Sequence, residues 1–175
     1  MEGWKFWWGI AAFFLGGLAT QLNSWLAYRR QRRDKGDDAA DALRRRREEF
    51  ELQHLVEFNE LLRRCLNRLH EYTTAVRYYV HLRDTSSLND QVAVQRNETH
   101  EAYTQALDDA VTQLGFILAD DVRAAASDAL NELARAATEL SATQSLNLRA
   151  VNDGVDPAFV SLAKRVRAIY AGRSA

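Results

Sequence analysis

Glu51 and His54 stand three residues apart, the Glu-x-x-His spacing with which ferritin-like helical bundles hold a di-iron centre. Positions i and i+3 share one helix face, so both side chains could reach one ion. Such a centre also needs a second copy of the motif and two further inward glutamates, and the sequence offers neither. No metal site is therefore expected. Cys/His spacings typical of zinc are missing as well. His70 and His81 fall on outward helix faces, where a solvated imidazole is the plain reading. The single Cys65 falls on an apolar face, which predicts a packed thiol rather than a reactive one. The chain carries no phosphate-binding G-x-x-x-x-G-K-[ST], no dinucleotide G-x-G-x-x-G, no nucleophile-elbow G-x-S-x-G and no Cys-x-x-Cys. Neither an enzyme nor a bound cofactor is expected. Asn97-Glu98-Thr99 matches a glycosylation acceptor, but the topology derived below puts it in the cytosol on a helix.

The elements that carry these residues begin with an apolar stretch. Phe6 to Leu26 supplies 21 residues without a charge, and about 20 suffice to cross a hydrocarbon core of roughly 30 Å. Trp4, Trp7 and Trp8 mark one interface, Trp25 and Tyr28 the other. Lys5 alone precedes the span, whereas Arg29, Arg30, Arg32, Arg33 and Lys35 follow it, so the positive-inside rule places the N-terminus outside and the remainder in the cytoplasm. Those five basic residues are expected to contact anionic lipid headgroups at the inner leaflet of the plasma (inner) membrane, at about 1 kcal/mol each. A cleaved signal peptide is the rival reading, with Gly17-Leu18-Ala19 as its cleavage site. Against it, the apolar stretch continues to Leu26 and the basic run behaves as a stop-transfer signal. A buried core helix, the other alternative, would not need tryptophans at its borders. Ala12, Gly16 and Thr20 follow the four-residue spacing of small transmembrane contact faces, and Asn23 could hydrogen-bond between copies. Self-association through this face is one reading; the other is that glycine is common in such helices and that Gln21 and Asn23 snorkel to the interface.

One Pro and eight Gly among 175 residues, with abundant Ala, Leu, Arg and Glu, predict helix throughout. The overall charge of −1 conceals a division: residues 29–47 carry a net +5 and residues 48–175 a net −6. A basic stem under an acidic head suits a membrane-apposed protein and not a nucleic-acid binder. From Asp37 to about Arg83 one helix is predicted. Its apolar positions form two seams, Leu55, Leu62, Leu69, Val76 and Phe58, Cys65, Tyr72, Tyr79, flanked by Leu52, Leu61, Leu66 and Val80. A stripe that broad belongs to a multi-helix bundle rather than a two-stranded coil. Arg44-Arg45-Arg46-Arg47 encircles the preceding stalk, with i,i+4 pairs expected for Asp41–Arg45, Arg44–Glu48, Arg45–Glu49 and Arg47–Glu51.

A turn at 84–87 leads to a second helix, which should run to about Ala119 with Val92, Tyr103, Leu107, Ala110, Val111, Leu114, Ile117 and Leu118 inward. Asp120 or Asp121 is expected to cap a third, from Val122 to about Leu140. The lack of Gly or Pro at that point leaves a continuous helix as the alternative. Residues 141–155 read as a polar linker, and Asp156-Pro157 as the start of a last helix presenting Phe159, Leu162, Val166, Ile169 and Tyr170. The expected fold is all-α: an N-terminal transmembrane helix (1–28), a basic juxtamembrane stalk (29–50) and an antiparallel cytoplasmic four-helix bundle (51–172).

This layout resembles a loosely defined group of uncharacterised bacterial single-span membrane proteins. The matching pieces are the span with Arg29-Arg30-Gln31-Arg32-Arg33, the phrase Leu118-Ala119-Asp120-Asp121-Val122-Arg123-Ala124-Ala125-Ala126, and Phe159-Val160-Ser161-Leu162-Ala163-Lys164-Arg165. In that group the middle phrase separates two helices. The resemblance implies no particular activity. Two functions fit the residues: a non-catalytic, membrane-tethered interaction or scaffold module, acting on a cytoplasmic protein partner and as a homo-oligomer, or a membrane-perturbing effector of the phage-defence or toxin type whose spans cluster on triggering.

Overall fold

A computed structural model describes the backbone of residues 3–85 and 90–172 and the side chains of residues 40–85 and 90–172. The described residues form four helices, α1 (Gly3–Asp84), α2 (Asp90–Leu114), α3 (Asp120–Thr143) and α4 (Leu148–Tyr170). There is no strand among the described residues. The chain divides into two compact units, Met1–Arg47 and Glu48–Ala175.

In the first unit, Asp41 pairs with Arg44 at 3.4 Å rather than with the expected Arg45, in solvent on both sides. The expected membrane span Phe6–Leu26, its contact residues Ala12, Gly16, Thr20 and Asn23, and the headgroup set Arg29, Arg30, Arg32, Arg33 and Lys35 all lie outside the described side chains. Among the described residues no helix is long and apolar enough to cross a membrane.

In the second unit, the α1 seam behaves as its periodicity predicts as far as Val76, while Tyr79 is half-buried. Leu55, Phe58, Leu62, Cys65, Leu69, Tyr72 and Val76 are buried, while Leu52, Leu61, Leu66 and Val80 are half-buried against them. Each fully buried large apolar side chain contributes about 1.5–3 kcal/mol. Contacts of Tyr79 with Arg96, Cys65 with Ala106 and His54 with Gln113 show that α1 and α2 run antiparallel. Arg165 meets Glu51 and Phe159 meets Arg63, and Leu146, just before α4, meets Arg77, so α4 is antiparallel to α1 too. Alanines let the helices approach closely: Ala106 and Ala110 on α2, Ala126, Ala129 and Ala136 on α3, and Ala158 on α4 are all buried. The Tyr103 hydroxyl ties α2 to α3 by donating to the Leu133 carbonyl at 2.7 Å. Thr73 is buried without cost, because its hydroxyl donates to the Leu69 carbonyl at 2.7 Å.

The predicted break between the second and third helices exists, five residues earlier than expected. Gly115 follows the last residue of α2; its φ is not positive, so it acts through poor helix propensity rather than as a left-handed cap. Phe116 and Ile117 then donate back to Gln113 and Leu114, and the buried Ile117 pins the turn. Asp120 and Asp121 lie inside the first turn of α3, where they suit its positive end. The N-cap is Ala119, which makes no side-chain cap. The register of α2 differs from expectation as well: Val111 and Leu118 are exposed, and Ala106 is buried in their stead.

The expected linker 141–155 is mostly helix. Gln144 closes α3 in the left-handed conformation (φ 57°), its N–H donating to the Leu140 carbonyl. Leu146 drops into the core, and Asn147 caps α4 by accepting from the Ala150 N–H at 3.3 Å. Pro157 therefore sits inside α4 and is not its first residue. The apolar rhythm Val151, Val155, Ala158, Leu162 runs through it uninterrupted. Both Asp153, whose carbonyl loses its partner, and Pro157 face solvent, so water can satisfy the gap. Gly154 is no loop glycine: a Cβ there would stand 2.9 Å from Glu132 Cγ. At the far end Tyr170 is 80% exposed, contrary to the expected inward position.

Candidate functional site

The two residues of the Glu-x-x-His motif are neighbours that serve separate partners. Glu51 is 2% exposed and accepts two hydrogen bonds from Arg165 of α4, Nε to Oε1 at 2.6 Å and Nη2 to Oε2 at 2.9 Å. This parallel fork is the strong geometry for an arginine–carboxylate pair. It raises the Arg165 pKa above its ordinary value, chiefly through the hydrogen bond to Glu51 and against desolvation. It also replaces the expected Arg47–Glu51 pair. With both carboxylate oxygens engaged, Glu51 is not arranged as a metal ligand, and no group of three or more potential metal ligands occurs among the described residues.

His54 is the centre of a second cluster. Its ring meets Phe50 edge-on at 4.2 Å and stacks on Phe116 of the α2–α3 turn at 5.0 Å. Gln113 Nε2 stands 2.6 Å from His54 Nδ1 and 2.8 Å from Glu57 Oε2, while Nδ1 and Oε2 are 3.1 Å apart. The amide carries two protons, so it serves both acceptors when Nδ1 holds a lone pair. A proton on Nδ1 would instead donate to Glu57 and turn the amide away. Glu57 is held below the usual carboxylate pKa, first by the Gln53 amide donating to Oε1 at 2.8 Å, then by His54 and Gln113. Phe50 and Phe116 remain 43% and 45% exposed, so this polar frame presents two aromatic rings to the surroundings.

The remaining residues singled out from the sequence behave mostly as packing. Cys65 is fully buried, its thiol donating to the Ala106 carbonyl at 3.2 Å, and burial pushes its pKa up to about 11. Burial likewise raises the Tyr103 hydroxyl pKa. His70 and His81 are exposed, as the heptad register predicts.

Sequence reasoning missed a cleft of about 280 Å³ at the other end of the bundle, where α1, α2 and α3 meet. Arg96 lies over the Tyr79 ring at 4.5 Å, and His100 lies against the Tyr72 ring at 4.9 Å. Its signal was present in α2. Arg96 follows Val92 by four residues and precedes Tyr103 by seven, which places a charge on the buried register. Arg165 carried no comparable mark. No protein-family model matches the chain, and no curated protein or solved structure is similar to it at a significant level.

Proposed function

We propose that the protein is a non-catalytic, membrane-tethered interaction module. In this reading Phe6–Leu26 spans the inner membrane with the N-terminus outside, and Arg29, Arg30, Arg32, Arg33 and Lys35 meet anionic headgroups. Ala12, Gly16, Thr20 and Asn23 bring copies together, and the helical bundle in the cytosol engages a protein partner. The apolar, tryptophan-bordered composition with its one-sided basic flank supports the tether.

The observation that carries the interaction role is the face formed by Phe50, His54 and Phe116. Half-exposed aromatic rings on a hydrogen-bonded frame are the kind of anchor that protein interfaces favour. The test is photo-cross-linking in native membranes, with benzoylphenylalanine introduced at position 116 and, as a control, at the exposed position 170. A discrete adduct from position 116 alone supports the reading. Monomer only, or the same adducts from both positions, overturns it.

A further inference from the structure

The cleft between α1, α2 and α3 has the makings of a ligand site, and its chemistry is selective. Its floor is apolar, Val76 and Leu140, both buried. Its walls are the rings of Tyr72 and Tyr79. Its ionisable groups other than these phenols are Arg96 and His100, and no carboxylate lines it. The Arg96 guanidinium thus has no countercharge among the residues that line the cleft.

The hydrogen bonds sharpen this. Arg96 Nε and Nη2 both donate to Asn97 Oδ1, at 3.3 and 2.9 Å, and Cζ is steadied over Tyr79. Among the described residues Nη1 has no hydrogen-bond partner and Arg96 no ion pair. Ser141 Oγ donates to the Ala137 carbonyl at 2.9 Å, so the 3.2 Å contact with Tyr72 is a hydrogen bond donated by the tyrosine. That fixes the Tyr72 ring, and with it the wall against His100. The lining of aromatic rings and apolar side chains suits a ligand with an apolar body, and a guanidinium with a free N–H suits a carboxylate. The volume, about 280 Å³, lies just below the usual range for small-molecule sites, so only a compact ligand fits.

We propose that this cleft binds a small organic anion of the aromatic carboxylate class, with Arg96 as its charge partner and the Tyr72 and Tyr79 rings as its walls. Binding would join the ends of three helices, which makes the bundle a sensor as well as an interaction surface. The inference is independent of the membrane tether, so failure of either leaves the other standing.

The test is calorimetric titration of the full-length chain in detergent micelles with benzoate, benzylamine and inorganic phosphate. Saturable benzoate binding is expected, with benzylamine and phosphate each at least roughly tenfold weaker. Arg96→Gln should weaken benzoate roughly tenfold or more, the loss of a hydrogen bond to a charged group. Arg63→Gln, which alters a guanidinium over Phe159 elsewhere on the bundle, should leave it unchanged. Should Arg96→Gln lose its helical circular dichroism, Ser141→Phe, which fills the cleft from its rim, must abolish binding in its place. No saturable benzoate binding, equal binding of benzylamine or phosphate, or an unchanged affinity in a folded Arg96→Gln or Ser141→Phe overturns the proposal.

Discussion

Glu51 and Arg165, 114 residues apart in the chain, are joined by two hydrogen bonds that fasten the C-terminal half of α4 to the first turns of α1 within the bundle. The carboxylate is buried and the guanidinium side chain is 22% exposed, so the partners do not stand equally in water. Arg165→Ala leaves a buried carboxylate without its cation and is expected to cost about 3–5 kcal/mol. Replacing both partners by apolar residues of similar volume, Glu51→Leu with Arg165→Met, should cost far less than Arg165→Ala alone. Urea unfolding of the three proteins decides it. A double variant no more stable than Arg165→Ala would show that the pair contributes more than relief of an unpaired charge.

Cys65 should resist thiol reagents in the folded protein. Its thiol is buried and its pKa is raised from 9.0 to about 11 by burial, so almost no thiolate forms near neutrality. A raised acid pKa means the unfolded chain ionises first. This contribution to stability is therefore full below pH 9.0 and is lost as pH rises toward about 11. Labelling with a chromogenic disulfide at pH 8 should be slow in buffer and rapid in denaturant. Equal rates in both would contradict the packing described for α1 and α2.

Glu57 owes its depressed pKa first to Gln53, one turn before it. Gln53→Ala should move the Glu57 carboxyl back up toward 4.5, as read by the pH dependence of its carboxyl carbon resonance. The sign for stability is opposite to that of Cys65. With the folded value lowered, the contribution is present above 4.5 and fades as pH falls through the folded pKa. An unshifted resonance in Gln53→Ala would assign the depression to His54 and Gln113 instead.

Pro157 lies inside α4, where its missing N–H leaves the Asp153 carbonyl to solvent. Proline in a helix interior costs about 3 kcal/mol relative to alanine, partly offset by the stiffer unfolded chain. Pro157→Ala is expected to stabilise the bundle by about 2 kcal/mol, measured by thermal unfolding. Destabilisation would mean that α4 begins after Asp156, the boundary the Asp-Pro pair suggests.

That residue also shows where sequence reading succeeds and fails. The α1 seam was legible because Leu55 to Val76 repeats at three and four without interruption, and burial follows. The start of α4 was misread because Asp156-Pro157 is a strong local signal, while Asn147, the cap in use, looks like any linker asparagine. Val151, Val155 and Ala158 repeat at helical spacing across the proline, and this tertiary demand outweighs the local preference. Glu51 was legible as a candidate ligand but not as half of an ion pair, since its partner is placed only by the packing of α4. The cleft was hidden for the same reason: Arg96 and Tyr79 become one feature only when α1 and α2 face each other.

The proposed membrane span is tested most directly by alkaline carbonate extraction of membranes containing the full-length chain. If the span is present, the protein stays in the membrane pellet, and deletion of Phe6–Leu26 releases a folded bundle into the supernatant. Full-length protein recovered in the carbonate supernatant would contradict it.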